Sequence, residues 1–75
     1  MEHEIMKKLC REYTESLEKI EKRIAQVREM QKSVKPKSRE YFELYNRRRR
    51  LMSIYEETFR WREMVREYIN AWQEN

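Results

Sequence analysis

The feature that most constrains the fold is a single proline, Pro36, which divides a glycine-free chain into two segments of helical periodicity. Turns and strand ends depend on glycine and proline, so their scarcity in 75 residues favours long helices. Lys35 precedes the proline and is therefore biased away from helical backbone angles. We predict one all-α domain, an antiparallel coiled-coil-like hairpin with a first helix over about residues 3–34, a turn over 35–37 and a second helix over about 38–73.

The start of the second helix has its own signal. Ser38 is a suitable N-cap, and Glu40 in the first turn would face the positive end of the helix dipole. In a hairpin centred on Pro36, residues whose numbers sum to about 72 lie at the same height along the two helices. This relation predicts which side chains meet across the hairpin.

The first segment has the heptad pattern of a coiled coil. Apolar residues recur at alternating steps of four and three, and Gln31 occupies the one polar core position. This narrow stripe is what one partner helix can cover. Its apolar members are Met6, Cys10, Tyr13, Leu17, Ile20, Ile24, Val27 and Val34.

The second segment is apolar over a much wider face. Four adjacent heptad columns are largely apolar, whereas one partner helix covers two or three. The two inner columns are Tyr41, Arg48, Tyr55, Arg62, Ile69 and Leu44, Leu51, Thr58, Val65, Trp72. The two outer columns are Tyr45, Met52, Phe59, Arg66 on one side and Arg47, Ile54, Trp61, Tyr68 on the other.

A single hairpin would leave part of this face in water, and exposed apolar patches normally mark interfaces. We therefore expect a homodimer in which two copies of the second helix form the centre of a four-helix bundle. Docking of the hairpin on a different protein is the alternative. The candidate interface residues are Leu51, Ile54, Phe59, Trp61, Met64, Tyr68 and Trp72.

Positive charge is concentrated around the turn. Residues 32–50 contain eight basic and two acidic residues, a net charge of +6, whereas the whole chain carries +4. The consecutive arginines 47–50 span about 300° of a helix and cannot all face one ligand. The cluster has two possible roles. It is a patch that binds the phosphates of RNA or DNA, or it is only a solvated end of the hairpin. The candidate patch residues are Lys35, Lys37, Arg39, Arg47, Arg49 and Arg50.

Two arginines interrupt the apolar stripe of the second helix, Arg48 and Arg62. A charge in such a stripe must form an ion pair, extend to solvent or stack on an aromatic ring. The height relation predicts that Arg48 reaches toward Glu21 and Arg62 toward Glu12. We interpret both arginines as residues that set the register of the hairpin, with a pocket for an anionic ligand as the alternative.

The composition offers little support for enzymatic chemistry. The one histidine, His3, is near the terminus, and the one cysteine, Cys10, occupies a core position where a small apolar side chain fits. Without glycine there is no phosphate-cradling loop, and no Glu-x-x-His motif is present. We expect no catalytic, cofactor-binding or metal-binding residue and no small-molecule substrate.

The same sequence has no signal-peptide pattern and no apolar run long enough to span a bilayer, so a cytoplasmic protein without membrane contact is expected. In architecture the predicted dimer resembles the small hairpin dimers of the Rop type, a likeness of fold without shared motifs. We expect a non-enzymatic interaction or regulatory protein that self-associates through the second helix. The alternative is a nucleic-acid-binding regulator acting through residues 32–50.

Overall fold

The chain forms a helical hairpin in the computed structural model, which describes the backbone of residues 2–74 and the side chains of residues 3–72. Helix α1 spans Glu2–Ser33 and helix α2 spans Arg39–Glu74, and the described residues contain no strand. The molecule measures 57 × 14 × 14 Å. Its length is about that of the 36-residue α2 alone at 1.5 Å per residue. The two helices therefore lie side by side, which confirms the predicted hairpin.

The connection between the helices is a tight turn. The Ser38 backbone N–H donates a hydrogen bond to the Lys35 carbonyl over 3.1 Å. Pro36 occupies the second position of this turn, and Lys37, in the third, has a positive φ of 63°. Proline followed by a left-handed residue is the pattern of a type II turn, whose third position favours glycine. Here a lysine occupies that position, in a chain without glycine.

Ser38 caps α2, as the sequence predicts. Its Oγ accepts a hydrogen bond from the Tyr41 backbone N–H at 3.2 Å, and its carbonyl accepts one from the Phe42 N–H at 3.2 Å. Glu40 lies in the first turn of the helix. These bonds satisfy N–H groups that a helix start otherwise leaves without partners, so α2 begins where the turn ends.

The core between the helices is small and follows the heptad pattern. All nine core positions of the first heptad pattern, eight in α1 and Val34 directly after it, are buried or half-buried, and so are the two inner columns of α2 except Trp72. Among residues 3–72, the fully buried apolar side chains are Leu17, Val27, Val65 and Ile69. A core this small rarely stabilises a chain of 75 residues without a further contribution.

The facing pairs differ from the prediction by about one helical turn. Tyr55 bonds to Glu21, and Met52 shares a groove with Ile24, so the numbers of facing residues sum to 76. Side chains lean toward the N-terminus of their own helix, which means opposite directions along the two antiparallel helices. For a given α1 residue, the α2 side chain that meets it therefore comes from a position farther from the turn than the α2 residue of equal height.

Candidate interaction surfaces

Six basic side chains surround the turn and are all exposed; we call Lys35, Lys37, Arg39, Arg47, Arg49 and Arg50 the basic tip. Arg39 Nε donates to Glu43 Oε1 over 3.2 Å, in place of the Glu43–Arg47 pair that the i,i+4 spacing also allowed. No other member of the basic tip forms an ion pair within residues 3–72. Most of its charge is therefore available to an external partner.

The consecutive arginines diverge as their spacing predicts. The guanidinium carbons of Arg48 and Arg49 lie 5.7 and 6.0 Å from the Tyr45 ring centroid, within cation–π range. Arg50 lies on the outer side of α2, where it lines a shallow groove with Arg49 and Ile54. The four arginines thus lie around the helix, some at the Tyr45 ring and some on the outer side of α2. One ligand cannot contact all four guanidinium groups.

The two inner arginines do not have the predicted partners. Arg62 keeps only 15% of its side chain exposed, lies 5.1 Å from the Phe59 ring centroid and pairs with Glu63 at 3.4 Å. The carboxylate of Glu21, expected to attract Arg48, instead accepts a 2.8 Å hydrogen bond from the Tyr55 hydroxyl. The one-turn difference in register is the reason. Both arginines use aromatic faces on their own helix, and their proposed role in setting the register stays a prediction.

The hydrogen bond between Tyr55 and Glu21 links the two helices at the surface. It raises the pKa of the Tyr55 phenol above its ordinary value of 10.0, because ionisation would place a negative oxygen against a carboxylate. Partial desolvation acts in the same direction, and the charge of Arg62 opposes it. The Tyr55 ring also stacks on Phe59, with centroids 6.5 Å apart and an interplanar angle of 18°.

One side of α2 therefore combines aromatic rings with arginines. We call this surface the Phe59 flank; its apolar members, between 37% and 52% exposed, are Phe42, Tyr45, Met52 and Phe59. Met52 lines the same groove as Glu21 and Arg28 of α1, which fixes the side of the hairpin on which this flank lies. The cations over Tyr45 and Phe59 make this flank polar in part.

The opposite side of α2 is more uniformly apolar. We call it the Trp61 flank; its members, between 42% and 57% exposed, are Ile54, Trp61, Met64, Tyr68 and Trp72. The rings of Tyr68 and Trp72 lie 6.2 Å apart. Arg47, which begins the same heptad column, lines a groove with Met30 of α1 on the side away from Met52. The two flanks therefore lie on opposite sides of the contact between the helices.

The predicted interface residues divide among three places. Leu51 is half-buried between the helices, Phe59 belongs to its own flank, and the other five form the Trp61 flank. Sequence reasoning missed Phe42, which is 52% exposed and contacts Tyr41 edge to face, and Ile5, which is 63% exposed. Both residues occupy outward-facing heptad positions, so the heptad assignment could have predicted that they are exposed.

Groups that could carry chemistry are few in the described part of the chain. Cys10 is a half-buried free thiol, and Thr14 Oγ1 donates a 3.0 Å hydrogen bond to its carbonyl. No group of three histidine, cysteine, aspartate or glutamate side chains within it could hold a metal ion. Neither helix, over residues 2–74, has a stretch long and apolar enough to span a bilayer.

Comparisons of the chain with protein-family models, with curated proteins and with solved structures returned no match.

Proposed function

We propose that this chain is a non-enzymatic interaction module that self-associates through the exposed apolar face of α2. The observation that carries the proposal is a mismatch between its surface and its core. Five large apolar side chains on the Trp61 flank are about half exposed, whereas the described part of the chain has four apolar side chains buried between the helices. A second copy that covers the flank would supply the apolar burial that a small core lacks.

The experiment is measurement of the molar mass in solution by light scattering, together with helicity by circular dichroism. The wild type is expected at the mass of two 9.7 kDa chains. Trp61→Glu should give the mass of one chain, because the side chain is 49% exposed in the hairpin and the new charge would be buried only in the dimer. Its helicity should decrease, since the small core then lacks the burial that a second copy supplies. Leu51→Glu should unfold the hairpin itself.

Ser53→Glu is the matched control, since it adds the same charge on the exposed outer side of α2 and should leave both mass and helicity unchanged. A wild type with the mass of one chain at every accessible concentration would contradict self-association. So would a Trp61→Glu variant that keeps the mass of a dimer.

A second function, binding of RNA or DNA through the basic tip, is favoured by one specific observation. Of the six exposed cationic side chains, Arg39 alone is in an ion pair among the described residues. Unpaired arginine and lysine side chains close together are the usual means of contacting phosphates. On this proposal, log affinity for duplex DNA or structured RNA falls linearly with log salt concentration.

Arg49→Glu combined with Arg50→Glu tests this function. The double variant should bind more weakly and reduce the salt slope by about one for each phosphate that the protein no longer neutralises. Lys19→Glu with Lys22→Glu makes the same charge change on the exposed side of α1 and should have a smaller effect. Absence of binding at low salt, or an equal decrease in affinity in both variants, would contradict a specific role of the basic tip.

A further inference from the structure

The two flanks of α2 differ in what can cover them. On the Phe59 flank, cationic groups lie within 6.0 Å of the centres of two of the four apolar side chains, Tyr45 and Phe59. A partner that buried the Tyr45 ring would also have to desolvate Arg48 and Arg49, which is costly because neither has an ion-pair partner within residues 3–72. No such cation lies over the rings of the Trp61 flank within residues 3–72. The Trp61 flank is therefore the better surface for an apolar contact.

The Trp61 flank also has about the area that a dimer needs. Aromatic side chains bury about 150–250 Å² in full, so the five half-exposed side chains of this flank, three of them aromatic, offer at most about 500 Å² per chain. Two copies would then remove about 1,000 Å² from water, before the neighbouring polar stems are counted, which is the lower bound for a specific interface. The Trp61 flank of two copies therefore reaches this bound without a contribution from the Phe59 flank.

This flank lies off the centre of the hairpin. It runs from Ile54 to Trp72, over about 27 Å of helix, and ends at the open end of the molecule, far from Pro36. In a twofold contact each chain uses the same surface, so the axis passes near the middle of the flank, close to Met64. The overlap between two copies is then limited to the half of each hairpin that is away from the basic tip.

Charge decides the relative direction of the two copies. A parallel pair would place two segments of net charge +6 at one end, whereas an antiparallel pair separates them. Salt screens the repulsion between such exposed charges without changing its sign. The antiparallel arrangement also lets each basic tip extend beyond the overlap into solvent.

We propose that two copies meet through their Trp61 flanks with the α2 helices antiparallel about a twofold axis near Met64, so that the basic tips lie at opposite ends of an elongated dimer. This inference rests on the self-association proposed above and adds its surface and its direction. Each tip then acts as a separate site. A phosphate-rich partner would be contacted at two distant points, not by one combined patch.

The surface is tested by a matched pair of substitutions, Met64→Glu and Met52→Glu. The two methionines are 57% and 44% exposed and lie on opposite flanks. Met64→Glu should raise the dimer dissociation constant more than about tenfold, which corresponds to burial of one poorly paired charge. Met52→Glu should change it less than about threefold. The reverse order would assign the interface to the Phe59 flank and overturn the proposal.

The direction is tested by distances between spin labels at three exposed positions of one heptad column, Asn46, Ser53 and Arg60, each changed to cysteine in a Cys10→Ser background. In the proposed dimer the distance between the two chains is shortest at Arg60. It increases toward Asn46 by up to about 20 Å per heptad, since each chain contributes 1.5 Å per residue. In a parallel dimer the three distances would be about equal.

Equal distances, or a minimum at Asn46, in a protein that has the mass of two chains would overturn this inference and leave self-association intact. A protein with the mass of one chain and no dipolar coupling between chains would overturn the proposed self-association itself. The labelled variants are first compared with the wild type for mass, so that the two failures can be told apart.

Discussion

Replacement of Gln31 by leucine should stabilise the hairpin. Gln31 occupies a core position of α1, is 6% exposed, and its Oε1 accepts no hydrogen bond from any described residue. A buried acceptor without a partner costs about 1–3 kcal/mol of folding free energy. Leucine removes this penalty, has a helix propensity close to that of glutamine and fits the apolar stripe on either side.

The magnitude follows from these contributions. After allowance for imperfect fit of the branched side chain, Gln31→Leu should increase the free energy of unfolding by about 1–2 kcal/mol. For a chain of this size the corresponding rise in melting temperature is about 4–16 °C. Gln26→Leu is the control, because Gln26 is exposed and bonds only to the exposed Arg23 at 3.3 Å. Its effect should stay within about 0.5 kcal/mol.

The assay is urea and thermal unfolding followed by circular dichroism, at one fixed protein concentration, because association makes apparent stability depend on concentration. The molar mass is measured in parallel, since a polar residue at a core heptad position can select the oligomeric state. A Gln31→Leu protein that is no more stable than the Gln26→Leu control would refute the reasoning. The Gln31 amide would then have a partner in the assembled molecule.

Two further predictions concern the turn and the contact between the helices. Lys37→Gly should stabilise the hairpin by about 0.5–1 kcal/mol in urea unfolding, because Lys37 has a φ of 63° that costs a non-glycine residue about 1–2 kcal/mol. Lys35→Gly, with the same change of charge and no positive φ to relieve, should give no gain. The Tyr55 phenol, whose pKa is raised by its bond to Glu21, stabilises the fold fully below pH 10.0 and loses that contribution as the pH rises through its folded value. Unfolding midpoints should therefore fall more steeply above pH 10.0 in the wild type than in Tyr55→Phe, and parallel curves would contradict the assigned bond.

Much of the fold could be predicted because periodicity and backbone chemistry are local properties. The alternation of three- and four-residue steps identified the core positions of α1, and the two inner columns of α2 are buried or half-buried except for Trp72. Pro36 and Ser38 placed the turn and the cap within one residue of the observed helix ends. These features depend on residues that are neighbours in the sequence, so one chain is enough to reveal them.

The pairing of side chains across the hairpin could not be obtained from equal backbone height. The lean of side chains toward each helix N-terminus moves facing pairs by about one turn, so Tyr55, not Arg48, reaches Glu21. The left-handed Lys37 was also missed, because its φ is imposed by the closure of the turn and lysine carries no signal for it. Surface ion pairs were also not predictable, because several partners compete for one carboxylate. Glu43 pairs with Arg39, although its spacing to Arg47 is equally suitable.

Helix α2 presents three surfaces of different chemistry. Residues at its start are cationic, one flank mixes aromatic rings with arginines, and the other flank is apolar. A surface that excludes water and one that contacts phosphates make opposite demands on solvation. The Trp61 flank and the basic tip are separated along α2, so the proposed self-association and the proposed phosphate contact would not compete for the same side chains. If both proposals hold, the arrangement of the dimer sets the distance between the two basic tips.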